Sequence, residues 1–233
     1  MPIQMIVPNL YQVSLGFVNV FLIDTGDGLA LIDAGTAGSE KRILAGISEL
    51  GKQPSDLRAI LITHLHEDHV GGLPAVYRAS GAPVYMHTLE ADAYVHGSTM
   101  RTIEPAPGLL NALLVKSIRN VKPSPNRDIA PIQYELKGGE EIEAAGGIRA
   151  IHTPGHTAGH LVFLWPRDGG VLITGDIASH MLRLGYSFLY ENFQQGRQTL
   201  CEVARLPFEK ACFSHGKPIT QNAAQAFDRA FTS

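Results

Sequence analysis

The stretch THLHEDHVGG, residues 63–72, places three histidines and two acidic residues within the six positions from His64 to His69. The chain has ten histidines in 233 residues, so this density calls for a chemical reason. The stretch continues directly from LRAILIT, residues 57–63, an apolar run rich in β-forming residues that reads as a strand. With the backbone extended, offsets of two put His64, His66 and Asp68 on one side, because side chains alternate along a strand. His69 must then be turned back, and Gly71 and Gly72 permit close backbone approach at that turn. Neutral imidazole nitrogens crowded with anionic carboxylate oxygens form a ligand set that zinc, iron or manganese accepts. Three His and one Asp at these fixed offsets would arise by chance in roughly one in a thousand chains of this composition. A polar helix cap with surface histidines is therefore the weaker reading.

Neighbouring side chains at 68 and 69 diverge, so these four groups do not close around a single ion and further donors are needed. Three candidates end or follow apolar β runs and are flanked by Gly or Pro: His156 in TPGHTAGH, Asp176 in LITGD and His215 in CFSHG. Such positions deliver side chains to one rim of a sheet.

The rest of the chain alternates strands and helices. NLYQVSL (9–15), NVFLIDTGDG (19–28) and GLALIDAG (28–35) read as consecutive strands, with TGDG as a hairpin turn. Ile43, Leu44, Ile47 and Leu50 recur at helical offsets between a candidate N-cap, Ser39, and a candidate stop, Gly51. A helix over Val70 to Ser80, a strand PVYMH and a helix from Leu89 to His96 follow. In the second half, IRAIHT, HLVFLW, GVLITGD and KACFSH are candidate strands, with helices near Phe193 to Leu206 and from about Asn222. This alternation signals an α/β class. No linker divides the chain, so one domain over residues 1–233 is expected. The insertion at about 97–133 interrupts the rhythm with one apolar helical stretch, LLNALLVKSI. Its length suits a lid over the active site, a surface excursion or a subunit contact, and its leucines would suit a homodimer interface.

HLHEDH, then His156 in PGHTAGH, Asp176 in TGD and His215 in SHG, in that order, resemble the metallo-β-lactamase superfamily over nearly the whole chain. LIDAG, which contains Asp33, matches the family as well. The resemblance implies a four-layer αβ/βα sandwich with a two-metal site at one edge. Carried over by position, His64, His66 and His156 would hold one ion, Asp68, His69 and His215 the other, and Asp176 would bridge them. It further implies two zinc ions, iron or manganese being the alternatives, with a hydroxide between them that attacks a small ester, lactone, thioester or amide. Asp68 and Asp176 are then the carboxylates expected to carry catalysis. A mononuclear iron persulfide dioxygenase and a small phosphodiesterase are the alternative activities on this scaffold.

Several features refine that expectation. Asp176 stands where some β-lactamase subclasses carry a cysteine or no ligand. Only 18 residues follow His215, too few for the C-terminal helical domain of glyoxalase-type thioesterases. Lactonases of the family often have a tyrosine three residues after the bridging Asp; here that position is Ser179, and Tyr186 or Tyr190 would have to stand in. Tyr186, Phe188 and Tyr190 alternate, as core residues or as a substrate wall. Asp33 is expected to orient a ligand histidine. His160 would touch substrate or serve as a satisfied structural histidine, and His180 lies close enough to Asp176 to reach the pocket. Glu67 should point away from the metals.

Composition narrows the partners. A net charge of −3 leaves no basic excess for nucleic acid or an anionic membrane, so a small-molecule substrate is expected. MPIQMIVPNLYQVSLGF carries no Lys or Arg, and Pro8 and Asn9 interrupt its apolar run, which fits neither an export signal nor a membrane span. The expected location is cytoplasmic. Cys201 and Cys212 are too few for a disulfide framework or a four-cysteine zinc site and read as ordinary packing residues.

Overall fold

A computed structural model describes residues 3–97, 103–118 and 128–232. Its strands, in chain order, are β1 (Ile3–Val7), β2 (Leu10–Ser14), β3 (Asn19–Asp24), β4 (Leu29–Ile32), β5 (Leu57–Leu61), β6 (Val84–His87), β7 (Glu104–Pro105), β8 (Tyr134–Leu136), β9 (Glu141–Ile142), β10 (Ile148–His152), β11 (Leu161–Trp165), β12 (Val171–Ile173), β13 (Ala178–Ser179), β14 (Gly185–Tyr186), β15 (Leu189–Tyr190) and β16 (Lys210–Cys212). The helices are α1 (Glu40–Glu49), α2 (Glu67–Val70), α3 (Leu73–Ser80), α4 (Thr88–Val95), α5 (Leu109–Ile118), α6 (Phe193–Val203) and α7 (Ala223–Phe231).

Two sheets organise these elements. The first runs β1-β2-β3-β4-β5-β6-β8 and the second β16-β12-β11-β10-β9. Period-two alternation explains why they stack. On β3, Phe21 and Ile23 face a core shared with Phe163, Trp165 and Ile173 of the second sheet, while Val20 and Leu22 face the other way, onto Ile43 and Ile47 of α1 and Leu73 and Val76 of α3. On β11, Phe163 and Trp165 face the first sheet, and Val162 and Leu164 pack with Leu200 of α6 and Phe227 of α7. Strands buried on both faces, as β11 is at all five positions, need apolar residues throughout, which LVFLW supplies. The result is the αβ/βα sandwich, two sheets face to face with helices outside. Cys212 lies in the layer between the sheets, where burial pushes its thiol up to about 12.

Two local differences from the sequence reading have clear causes. The helix expected from Val70 is two pieces, α2 and α3, joined at Gly71 and Gly72. A Cβ at Gly72 would lie 2.3 Å from the carbonyl oxygen of Ala34, and one at Gly71 2.6 Å from the amide nitrogen of Ala37. The joint thus presses against the loop after β4, which requires glycine. Ser39 stands at the start of α1 in helical conformation without capping it, its hydroxyl instead lying 3.0 Å from that of Thr36. The hairpin at TGDG forms as read, with the amide of Thr25 donating to the carbonyl of Gly28.

Of the insertion, residues 98–102 and 119–127 lie outside the described residues. β7 pairs with β15, and Ile103, Val115 and Leu189 form a small cluster there. On α5, Leu109, Leu110 and Leu113 are exposed. No helix among the described residues is long and apolar enough to cross a membrane.

Candidate metal centre

Five connections leave strands at one rim of the sandwich: those after β4, β5, β10, β12 and β16 bring Asp33, residues 63–69, His156, Asp176 and His215 together. Residues 63–66 leave β5 extended, and α2 then turns His69 back toward them. Its backbone is fixed by the amide of Ala34, which donates to the carbonyl of His69 at 2.8 Å.

His64, His66 and His156 converge. His64 Nε2 lies 2.9 Å from His66 Nδ1 and 3.2 Å from His156 Nε2, and the remaining side is 3.1 Å. Nitrogens bound at about 2.0–2.1 Å to one tetrahedral ion would stand about 3.3 Å apart, so this triangle fits a zinc-sized cation. Asp68, His69 and His215 form a second group whose ligand atoms all lie within 4.8 Å of one another. Asp176 stands between the groups, with Oδ2 3.7 Å from His156 Nε2 and 3.2 Å from His215 Nε2. Its Oδ1 and the Nε2 of His69 are both buried, 3.6 Å apart, and have no hydrogen-bond partner among the described residues. A buried donor or acceptor left bare is costly, and a cation between them would satisfy both.

The ring orientations point the same way. His156 Nδ1 donates to the carbonyl of Leu189 at 3.0 Å, His215 Nδ1 to that of Phe17 at 2.8 Å, and His69 Nδ1 to Asp33 at 2.8 Å. The hydroxyl of Thr63 donates to the Asp33 carboxylate, leaving its oxygen to accept from His64 Nδ1 at 3.0 Å. Four imidazoles therefore hold a proton on the outward Nδ1 and turn Nε2 to the centre, the orientation a metal requires.

Burial and mutual repulsion among the rings hold His64 well below the ordinary histidine value, and burial beside His66 pushes His156 down to about 3. The second group behaves oppositely. Burial would lower His215, but Asp176, together with hydrogen bonds to Asp176 and Asp68, raises it to about 10. For His69, burial is likewise outweighed by Asp33, Asp68 and Asp176. Burial would raise the Asp68 carboxyl, yet His69 and the hydrogen bond from His215 hold it at about 2. The first group is thus three neutral nitrogens, and the second a nest of carboxylates that draws positive charge.

Asp33 reaches two histidines of the cluster, His69 directly and His64 through the hydroxyl of Thr63. His160 is fully buried, its Nδ1 2.8 Å from the hydroxyl of Thr153, and its Nε2 accepts the amide of Asp176 at 3.0 Å. It holds the backbone at Asp176. Tyr190 is buried, with its hydroxyl donating to the carbonyl of Ile177 at 2.6 Å and its ring edge-on to His156. Its hydroxyl is thus committed to the backbone of residues 177 and 187. Tyr186 packs on Phe193 and Phe231. His180 is turned from the cluster, Nδ1 donating to the carbonyl of Lys217. Glu67 is exposed on α2.

Sequence reasoning missed Glu90. This α4 carboxylate is buried and accepts the amides of Leu65 and Gly159. An acidic residue in a short helix with no ligand spacing carries no signal; only the tertiary approach of two loops reveals it.

A family model described as Metallo-beta-lactamase superfamily matches residues 13–215. The uncharacterized protein YobT of Bacillus subtilis (strain 168) is 34% identical over 160 residues, covering 68% of this chain and 61% of its own length. The probable metallo-hydrolase YflN of the same organism is 26% identical over 229 residues, covering 91% of this chain and 85% of its own. Among solved structures, the Rm3 metallo-beta-lactamase superposes with a TM-score of 0.73 at 22% identity, covering 100% of this chain and 91% of that one.

Proposed function

The chain belongs to the metallo-beta-lactamase superfamily, and on that premise we propose that it is a metal-dependent hydrolase that holds two zinc ions and cleaves a small ester, lactone, thioester or amide. The carrying observation is the pair of adjacent ligand groups, His64, His66 and His156 beside Asp68, His69 and His215, with Asp176 between them. Ions held by these residues would supply a hydrolytic nucleophile at neutral pH and polarise the scissile carbonyl.

The chain's own residues do the rest. Asp68 and Asp176, both ionised at neutral pH, offset the charge of the ions, and Asp68, the more exposed of the two, can accept a hydrogen bond from water or substrate at the open side. Phe17, 61% exposed, stacks on His215, and the exposed Met181 follows a segment bound to the His215 loop. This apolar edge supports a substrate with an apolar group. The net charge of −3 supports a small molecule over a polynucleotide.

The test is a panel of lactones, thioesters, phosphodiesters and β-lactams run on metal-quantified protein. Close to two equivalents of zinc are expected, with ester or lactone hydrolysis lost in His66→Ala and Asp176→Ala. Activity in a metal-free preparation would overturn the reading, as would iron with oxygen uptake on a persulfide.

A further inference from the structure

The three nitrogens of the first group come from two separate segments, residues 64–66 and the loop after β10, and metal affinity depends on their separation. We infer that Glu90 is a positioning residue that sets metal affinity at the His64, His66 and His156 site by clamping both segments with one buried carboxylate; this rests on the two-ion reading above.

Glu90 is 2% exposed. Its Oε2 accepts the amide of Leu65, between His64 and His66, at 3.0 Å, and its Oε1 accepts the amide of Gly159, in the loop that delivers His156, at 2.7 Å. The fit on the Gly159 side is tight: a Cβ there would lie 2.7 Å from Glu90 Cγ and 2.8 Å from both Glu90 Oε1 and His87 Nδ1. The same loop is also fastened to residues 189–191, by the amide of Ala158, next to Gly159, to Glu191 and by His156 Nδ1 to the carbonyl of Leu189. Glu90 is thus a buried side-chain tie from the loop to residues 64–66, beside the backbone bond from the amide of Leu161 to the carbonyl of Thr63.

Carboxylate chemistry is needed for this tie. Two amide donors converge on the group, and a carboxylate offers an acceptor oxygen to each. A glutamine has the same size but one acceptor oxygen, and its NH2 would confront the other amide, leaving a buried N–H unpaired. The second group has different supports: Asp33 holds His69, and the carbonyl of Phe17 holds His215. Weakening Glu90 should therefore act on one site.

The experiment titrates metal-free wild-type protein and Glu90→Gln with zinc against a chromophoric chelator, with circular dichroism to check folding. Wild type is expected to bind two equivalents. In Glu90→Gln one equivalent should weaken by about 10- to 100-fold, the usual effect of removing a partner behind a metal ligand, while the other stays within about threefold. Gly159→Ala, which pushes on the carboxylate from the other side, should give the same pattern and carries the test if Glu90→Gln does not fold. Two unchanged equivalents, or two weakened alike, would overturn the role of Glu90 while leaving the two-ion reading intact. Fewer than two equivalents in wild type would overturn that reading and this inference with it.

Discussion

Asp33 shows how one side chain can act on both candidate sites. It sits at φ +61°, a region that non-glycine residues seldom occupy and that Asp tolerates better than most. From there its two oxygens take the amide and hydroxyl of Thr63 and the Nδ1 proton of His69. Asn keeps the shape and tolerates the same backbone, so Asp33→Asn isolates the loss of charge and of one acceptor. The expected outcome is a fall of about 10- to 100-fold in affinity for both metal equivalents, read by the same chelator competition. A loss confined to one equivalent would show that Thr63 does not relay Asp33 to His64. Phe17 acts at the substrate side instead: Phe17→Ala should raise KM for apolar-chain substrates several-fold with kcat little changed, since it removes apolar surface and keeps the carbonyl that holds His215.

At the scale of elements, the joint between α2 and α3 leaves no room for a side chain. Ala at Gly72 would drive a methyl into the carbonyl of Ala34, and the backbone would have to move. Gly72→Ala should destabilise the fold by about 1–3 kcal/mol, the range for overpacking, measured from the denaturant midpoint, and should weaken metal binding through the displaced His69. The sequence announced much of this. Strands such as β11 were legible because burial on both faces forces an unbroken apolar run, and the candidate cluster was legible because imidazoles rarely crowd without a cation. The short α2 was hidden inside the ligand motif, where four residues give no helical period. β1 was missed because IQMIV lies between prolines at 2 and 8 in a stretch too short to show alternation. The roles of His160, Tyr190 and Glu90 are set by contacts between distant segments, His160 to Asp176, Tyr190 to Ile177 and Glu90 to Gly159, which no local pattern records.

At the scale of the whole molecule, the candidate centre joins the two halves of the sandwich. His64, His66, Asp68 and His69 leave the first sheet, while His156, Asp176 and His215 leave the second. Cations at this rim would tie the sheets together, adding about 4 kcal/mol when the metal is at a thousand times its dissociation constant. Without metal, a proton can partly take the cation's place, because His215 lies 3.2 Å from both Asp68 and Asp176 and is raised to about 10. A group raised above its ordinary value of 6.5 stabilises the fold fully below that pH, and its contribution is lost as pH climbs through about 10. The metal-free protein should therefore lose stability over that interval. The loaded protein should gain in metal affinity, because fewer protons compete for His215 and His69, while His64 and His156, already neutral, add no such dependence. The difference in Tm between zinc-loaded and chelated protein is thus expected to widen as pH rises from about 6.5 toward 10, measured by scanning calorimetry in matched buffers. A gap that stays constant or narrows would mean that the carboxylates of the second group do not hold a proton on His215 when the metal is gone.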